Sequence, residues 1–262
     1  MAQGKMHFDD VVETYDRLRP EYPSELFADI FDYAGGGSKA IEIGAGTGKA
    51  TSAFLDAGYD VTAIEIGANM VAFLQDRFAQ NGKFRAVCVP FEDADLPENA
   101  YDLIYAATAF HWVNPETGCP KALRLLKSGG AFAIFRYTAL PGDGERYDDI
   151  QAVYDKYYHQ PNKRPTRLSD AEYGAPAELV KAHGVGNLGE YGFADVTVKH
   201  YHTTKTFSVD EYMNLLDTFP DHKSLNDSDR ANLYAGVREA IERHGGQHEV
   251  EYLFRLYMGR KA

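Results

Sequence analysis

A chain of 262 residues with 44% hydrophobic content can bury a large core, and it should form one domain with an elaboration or two domains at most. Its formal net charge of −12 argues against nucleic acid as a partner, because phosphate binding needs a concentrated basic surface. No run approaches the ~18 apolar residues of a membrane span, the N-terminus lacks an apolar signal core, and two cysteines are too few for a disulfide framework, so the expectation is a cytoplasmic protein without a membrane span.

Residues 1–37 read as a preamble. A helix is expected near Asp9–Leu18, then the phrase Arg19-Pro20-Glu21-Tyr22-Pro23, then a second helix over Ser24–Tyr33 with Ser24 placed to cap it. Gly35-Gly36-Gly37 breaks the chain before the first strand.

From residue 38 to about 137, strands and helices alternate. Strands are expected at 39–43, 60–66, 84–89, 101–107 and 130–137, and helices at 47–57, 68–80 and 115–127. This rhythm implies parallel strands, right-handed crossovers, helices on both faces, and ligand binding at the carboxyl ends of the strands. Cys88 falls in an apolar run and reads as a buried thiol. The histidines are scattered, and no metal-ligand cluster is visible.

Residues 138–189 are polar and tyrosine-rich, with helices expected near Glu145–His159 and Pro176–His183 and a loop from Pro161 to Asp170. Alternation over Phe193–Thr206 predicts a long strand, helices follow at about 208–218 and 226–244, and Gln247–Met258 closes the chain as a last strand.

The chemistry concentrates where Ala40-Ile41-Glu42-Ile43 empties into Gly44-Ala45-Gly46-Thr47-Gly48, with a helix expected from near Lys49. Glycines there let the backbone approach a ligand, and the helix that follows points its unpaired amides into the same space. A dinucleotide fingerprint would place glycine at 49, where Lys49 stands, and the spacing of a phosphate loop is absent. An ordinary strand-to-helix turn is the plain alternative. What stands here is E-x-G-x-G-x-G, with a second acid, Glu65, ending the next apolar run.

This pattern resembles the class I S-adenosylmethionine (SAM)-dependent methyltransferase family, whose first motif reads [DE]-x-G-x-G-x-G. The resemblance implies an α/β fold: a Rossmann-like, seven-stranded, mostly parallel sheet with helices on both faces and an inserted helical cap. Residues 1–37 would be a helical lid, 38–137 the SAM-binding core, 138–189 and 208–244 the cap, and 190–207 with 245–262 the final antiparallel strands. The cofactor would be SAM, with S-adenosylhomocysteine as product. Glu42 would meet the methionine amine directly or through water, and Gly44, Ala45, Gly46, Thr47 and Gly48 would supply backbone approach. Glu65 would take the ribose hydroxyls, and Ile66 and Met70 would line the adenine.

The stretch Val89 to Pro97 resembles the family's acidic segment. It implicates Phe91 and Glu92 at the adenine, with Asp93 a competing candidate one residue on. The fourth strand, ending at Ala107, would lie beside the sulfonium. His111 could act there as a proton acceptor or, with Trp112, shape the cofactor site. A Tyr-x-x-x-Arg-Pro-x-Tyr-Pro pattern brings Tyr15 and Arg19 into the lid.

The resemblance is to a small-molecule branch that includes trans-aconitate and ubiquinone or menaquinone pathway enzymes, so the expected partner is a small-molecule acceptor. Arg136, Arg146, Lys163, Arg164 and Arg167 could form a carboxylate-binding mouth. Monomer and homodimer stay open, as does a catalytically silent SAM-binding regulatory or scaffold protein.

Overall fold

The computed structural model describes residues 18–158 and 166–262. Tyr15, Lys163, Arg164 and all but the last residue of the helix expected over Asp9–Leu18 lie outside the described residues. The strands are β1 (Lys39–Ile43), β2 (Asp60–Glu65), β3 (Phe84–Cys88), β4 (Tyr101–Ala107), β5 (Leu126–Ala139), β6 (Phe193–Ser208) and β7 (Gln247–Lys261). They form one sheet in the order β3-β2-β1-β4-β5-β7-β6. The helices are α1 (Ser24–Ala34), α2 (Thr51–Asp56), α3 (Ala68–Arg77), α4 (Pro115–Leu125), α5 (Gly144–Tyr157), α6 (Asp170–Tyr173), α7 (Pro176–His183), α8 (Val209–Leu216), α9 (Pro220–Lys223) and α10 (Asp227–Arg243).

β1 is the inner strand on which the parallel part of the sheet is built. It pairs in parallel with β2, Ala40 opposite Val61, and with β4, Ala40 opposite Leu103. Flanked on both sides and covered on both faces, it buries every residue after Lys39, which is why it reads as a near-continuous apolar run. The chain moves outward from β1 to β2 and β3, then returns on the other side of β1 as β4 and β5, all in parallel pairing. That reversal opens a crevice at the carboxyl ends of β1 and β4, the place where such sheets bind ligands.

Three local expectations need correction. Ser24 does not cap α1: Pro23 holds the N-cap position, and the Ser24 hydroxyl instead donates to the Glu25 carboxylate. The helix after the glycine turn begins at Thr51, not near residue 47, because Gly44, Gly46 and Gly48 all take left-handed backbone conformations that a right-handed helix cannot include. Cys88 is exposed, because β3 is an edge strand with one flank uncovered. Two short helices, α6 and α9, fall where none was expected, α6 starting on a Ser169–Glu172 capping box.

The chain divides into two compact units. The first comprises Glu21–Tyr137, Ser169–Tyr201 and Phe254–Ala262, and carries the parallel strands and the glycine turn. Among the described residues, the second comprises those up to Pro20, those of Thr138–Leu168 and His202–Leu253. In the second, Ile150, Met213, Leu216, Leu233, Val237 and Ile241 form a core from α5, α8 and α10, with Tyr154, Tyr157, Tyr212 and Tyr234 packed against it. Among the described residues no helix is long and apolar enough to cross a membrane.

Asp102 fastens the start of β1 to β4. Its Oδ2 accepts from the amides of Ser38 and Lys39, both at 3.0 Å, and its Oδ1 accepts from Lys127 Nζ at 2.6 Å. Asp102→Ala should therefore lower the unfolding free energy by about 1–2 kcal/mol, the scale of charged hydrogen bonds at a partly exposed site. Lys127→Met should cost less, since half-exposed ion pairs contribute about 0–1 kcal/mol. Denaturant titration of the two variants checks the order.

Candidate functional site

The glycine turn sits at the carboxyl end of β1 and owes its shape to contacts on either side. Gly44 has φ 67°, and a Cβ there would stand 2.6 Å from Ala109 Cβ, so only glycine lets the turn approach the chain leaving β4. The Gly44 amide donates to Ile64 O at 2.8 Å, tying the turn to β2. At Gly46, with φ 56°, a Cβ would meet nothing within 4 Å: the space in front of this residue is open. Gly48 is also left-handed. Ala45 and Thr47 have buried side chains, so what they offer the turn is backbone, and Thr47 O accepts from Arg77 Nη1 at 3.2 Å.

Glu65, at the end of β2, holds that turn in place. One carboxylate oxygen accepts from the Gly46 amide at 2.9 Å, and the other accepts from the amides of Ile66 at 2.8 Å and Gly67 at 3.1 Å. Two loops are thus fixed to one acid. Beside it Ile66 is exposed at 38%, an apolar surface next to the open space, whereas Met70 is buried in α3.

Glu42 lies beneath the turn and is fully buried. Its Oε2 accepts from Thr51 Oγ1 at 2.5 Å and from the Tyr105 hydroxyl at 3.0 Å. Its Oε1 is buried with no hydrogen-bond partner among the described residues. Burial pushes the pKa up to about 8 against the pull of the Thr51 and Tyr105 hydrogen bonds, and the Glu65 carboxylate adds to the rise.

The other side of the crevice is the exit from β4. Ala107 ends the strand, and Thr108 follows with φ 53°, a strained conformation for a β-branched residue and one that collects at functional sites. Its amide donates to Phe135 O at 2.7 Å, and its hydroxyl shares a 2.7 Å hydrogen bond with the Tyr22 hydroxyl. The Tyr22 ring is wedged edge-on among Phe27, Phe135, Tyr137 and Phe254. His111 is half-buried in the next turn, its ring 5.0 Å from that of the exposed Trp112. Burial, with Arg136 nearby, lowers its pKa to about 3, so the imidazole is neutral and a weak proton acceptor.

Phe91 is buried beneath Lys121, and Glu92 Oε1 accepts from the Asn114 amide at 3.3 Å. Arg19 lies in the second compact unit, where it donates to Thr218 Oγ1 at 3.1 Å and stacks on Phe219 at 4.6 Å. Glu42, the glycines, Glu65, Ile66, Ala107 and His111 all belong to the first unit. Thr51, Tyr105, Thr108 and Tyr22 were not singled out from sequence; only Tyr22 had a signal there, as part of the Arg-Pro-x-Tyr-Pro phrase.

An acid whose folded-state pKa is raised keeps its proton when the unfolded chain has lost it. The stability contributed by that proton is fully present below about pH 4.5 and is lost as pH rises toward about 8. Glu42→Gln, which imitates the protonated carboxyl, should melt near wild type at pH 5 and above it at pH 8. Thermal unfolding across that range checks this, and a variant less stable at pH 8 would show that the acid is held as an anion.

Residues 41–134 match the family described as Methyltransferase domain. Over 129 residues, 49% of this chain and 51% of the relative, the sequence is 31% identical to an uncharacterized methyltransferase of Mycobacterium tuberculosis, so the chain spans about half the length of that curated relative. The fold is similar to that of a protein described as a type II methyltransferase from Anaeromyxobacter dehalogenans, with TM-score 0.65 and 21% identity, covering 93% of this chain and 98% of that one. It is also similar to phosphoethanolamine N-methyltransferase 2 of Haemonchus contortus in complex with S-adenosyl-L-methionine, with TM-score 0.52 and 14% identity, covering 97% of this chain and 57% of that one. With the strand-borne acid, the left-handed glycine turn and the strand order described above, residues 41–134 of this chain are similar to the methyltransferase domain family.

Proposed function

We propose that the protein is a methyltransferase that binds SAM in the crevice between β1 and β4 and acts on a small-molecule acceptor. One observation carries the reading: a glycine turn with open space before Gly46 is fixed by Glu65, above a buried Glu42 whose Oε1 lacks a partner among the described residues. A buried acceptor oxygen without a donor is costly to leave so. An ammonium group such as the one on the methionine moiety would satisfy it, and would also draw the Glu42 pKa down from about 8 by placing a cation beside it.

The residues divide the work by chemistry. Glu42 takes the amine, while Gly44, Gly46 and Gly48 allow close backbone approach. Glu65 takes the ribose hydroxyls with the accepting capacity its three backbone donors leave, and Ile66 offers the adenine an exposed apolar face. Phe91 and Glu92 border the adenine, Glu92 being turned toward the Asn114 amide. SAM, when bound, supplies a methyl group on a cationic sulfur. What remains for the protein is alignment and exclusion of water. A neutral His111 of low basicity fits a shaping role better than proton removal.

Thermal unfolding with SAM, S-adenosylhomocysteine and NAD in parallel tests the reading, because a ligand held only by the folded state raises the midpoint. SAM and its product should shift it and NAD should not. Glu65→Ala should remove most of the shift, a loss of about 1–3 kcal/mol of binding for hydrogen bonds to a charged group. Absence of a shift with either sulfur ligand would overturn the assignment.

A further inference from the structure

Besides glycines, the described residues with left-handed backbone are Asn99, Thr108 and Asp195, with φ 54°, 53° and 50°. Asparagine and aspartate tolerate that region because their short side chains bond the local backbone, whereas a β-branched residue enters it only under constraint. The constraint on Thr108 comes from several directions. Its amide donates to Phe135 O at 2.7 Å, and its hydroxyl shares a 2.7 Å hydrogen bond with the Tyr22 hydroxyl. The next residue, Ala109, sits so near the glycine turn that a Cβ on Gly44 would come within 2.6 Å of its own. Three residues earlier in the strand, Tyr105 ties β4 to Glu42.

Tyr22 is fixed as firmly. It precedes Pro23, the N-cap residue of α1, and a residue before proline is biased toward extended backbone. Its ring meets those of Phe27, Phe135 and Phe254 edge-on, with centroids 6.1, 5.0 and 5.6 Å away, so packing delivers its hydroxyl to Thr108. The preceding residue, Glu21, is bridged to Lys49, which directly follows the glycine turn. The Glu21-Tyr22 dipeptide therefore reaches both walls of the crevice, the glycine turn through a carboxylate and the β4 exit through a hydroxyl. Tyr22 and Thr108 are both half-buried, and neither is sealed in the core.

We propose that the Tyr22–Thr108 hydroxyl pair positions the transferable methyl group: Tyr22 holds Thr108 in its left-handed conformation, and the Thr108 oxygen faces the sulfonium methyl of SAM. This rests on the methyltransferase reading above. With the amine at Glu42 and the ribose at Glu65, two of the three carbon substituents of the sulfur lie on the β1 and β2 side. The third, the methyl, is left to face β4. A methyl on a cationic sulfur has polarised C–H bonds, which a hydroxyl oxygen attracts weakly but directionally. A hydroxyl that shares one hydrogen bond keeps lone-pair capacity for such a contact. S-adenosylhomocysteine lacks both the charge and the methyl, so the pair distinguishes the cofactor from its product.

Calorimetric titration of the full chain with SAM and with S-adenosylhomocysteine reads that difference without an acceptor. Tyr22→Phe keeps the ring in its aromatic seat and removes one hydroxyl, Thr108→Val removes the other at nearly constant shape, and Thr108→Ser restores it. Tyr22→Phe and Thr108→Val should each weaken SAM ~2–5-fold and leave S-adenosylhomocysteine nearly unchanged, while Thr108→Ser binds both as the wild type does. A pair that only fastens the fold would weaken the two ligands equally, and that result overturns the proposal. Unchanged SAM affinity in Tyr22→Phe and Thr108→Val overturns it too, as does a Thr108→Ser variant that behaves like Thr108→Val. Retained binding of S-adenosylhomocysteine shows that a variant is folded; should Tyr22→Phe bind neither ligand, the two Thr108 variants decide. Wild-type binding of both ligands in a ratio that no variant changes removes the pair and keeps the cofactor site. A wild-type chain that binds neither removes the methyltransferase reading and the proposal with it.

Discussion

A carboxyl group sealed inside the sheet constrains everything around it. Glu42 sits on the inner strand, fully buried, so the fold must hold its proton or supply its partners. Thr51, the first residue of α2, and Tyr105, in the middle of β4, both spend their hydroxyls on one of its oxygens. The acid thereby fixes where the helix after the glycine turn begins and how β4 lies against β1. Phe54 stacks on the Tyr105 ring, so the polar contact is locked by packing. Such an arrangement would be a poor way to build a core alone, because an apolar residue at position 42 would avoid the desolvation. It becomes intelligible under the proposal that the second oxygen receives a ligand.

The first compact unit is polarised along its strand ends. Acids gather on the β1 and β2 side, where Glu42 and Glu65 face the glycine turn, while cations gather on the β5 and β7 side around Arg136 and Arg255. Between them lies the β4 exit with its left-handed Thr108.

How much of this was legible in the sequence follows from what each feature depends on. β1 and β4 were placed to the residue because inner parallel strands are buried on both faces and so appear as apolar runs, and the glycine turn carries its own spacing. The capping box at Ser169 was present in the sequence, but the four-residue helix it starts was lost in a polar stretch. Other features depend on topology, which local pattern does not encode. Cys88 is exposed because β3 ends the sheet, and Glu42 finds its hydrogen-bond donors in Thr51 and Tyr105, 9 and 63 residues away along the chain. Alternation revealed β7 as a strand without revealing that Arg255 would be turned inward against α7. Thr108 breaks a local rule, and no residue pattern announces a β-branched side chain in the left-handed region.

The grip of Glu65 on the Gly46, Ile66 and Gly67 amides has a kinetic meaning. Because both loops are ordered by an acid that belongs to the fold, their conformational entropy is surrendered when the chain folds and not when a ligand arrives. Under the proposed function, a ligand at this part of the crevice would dock onto a finished surface: it would need no search by these two loops, and differences in affinity among ligands would appear chiefly in how long each one stays.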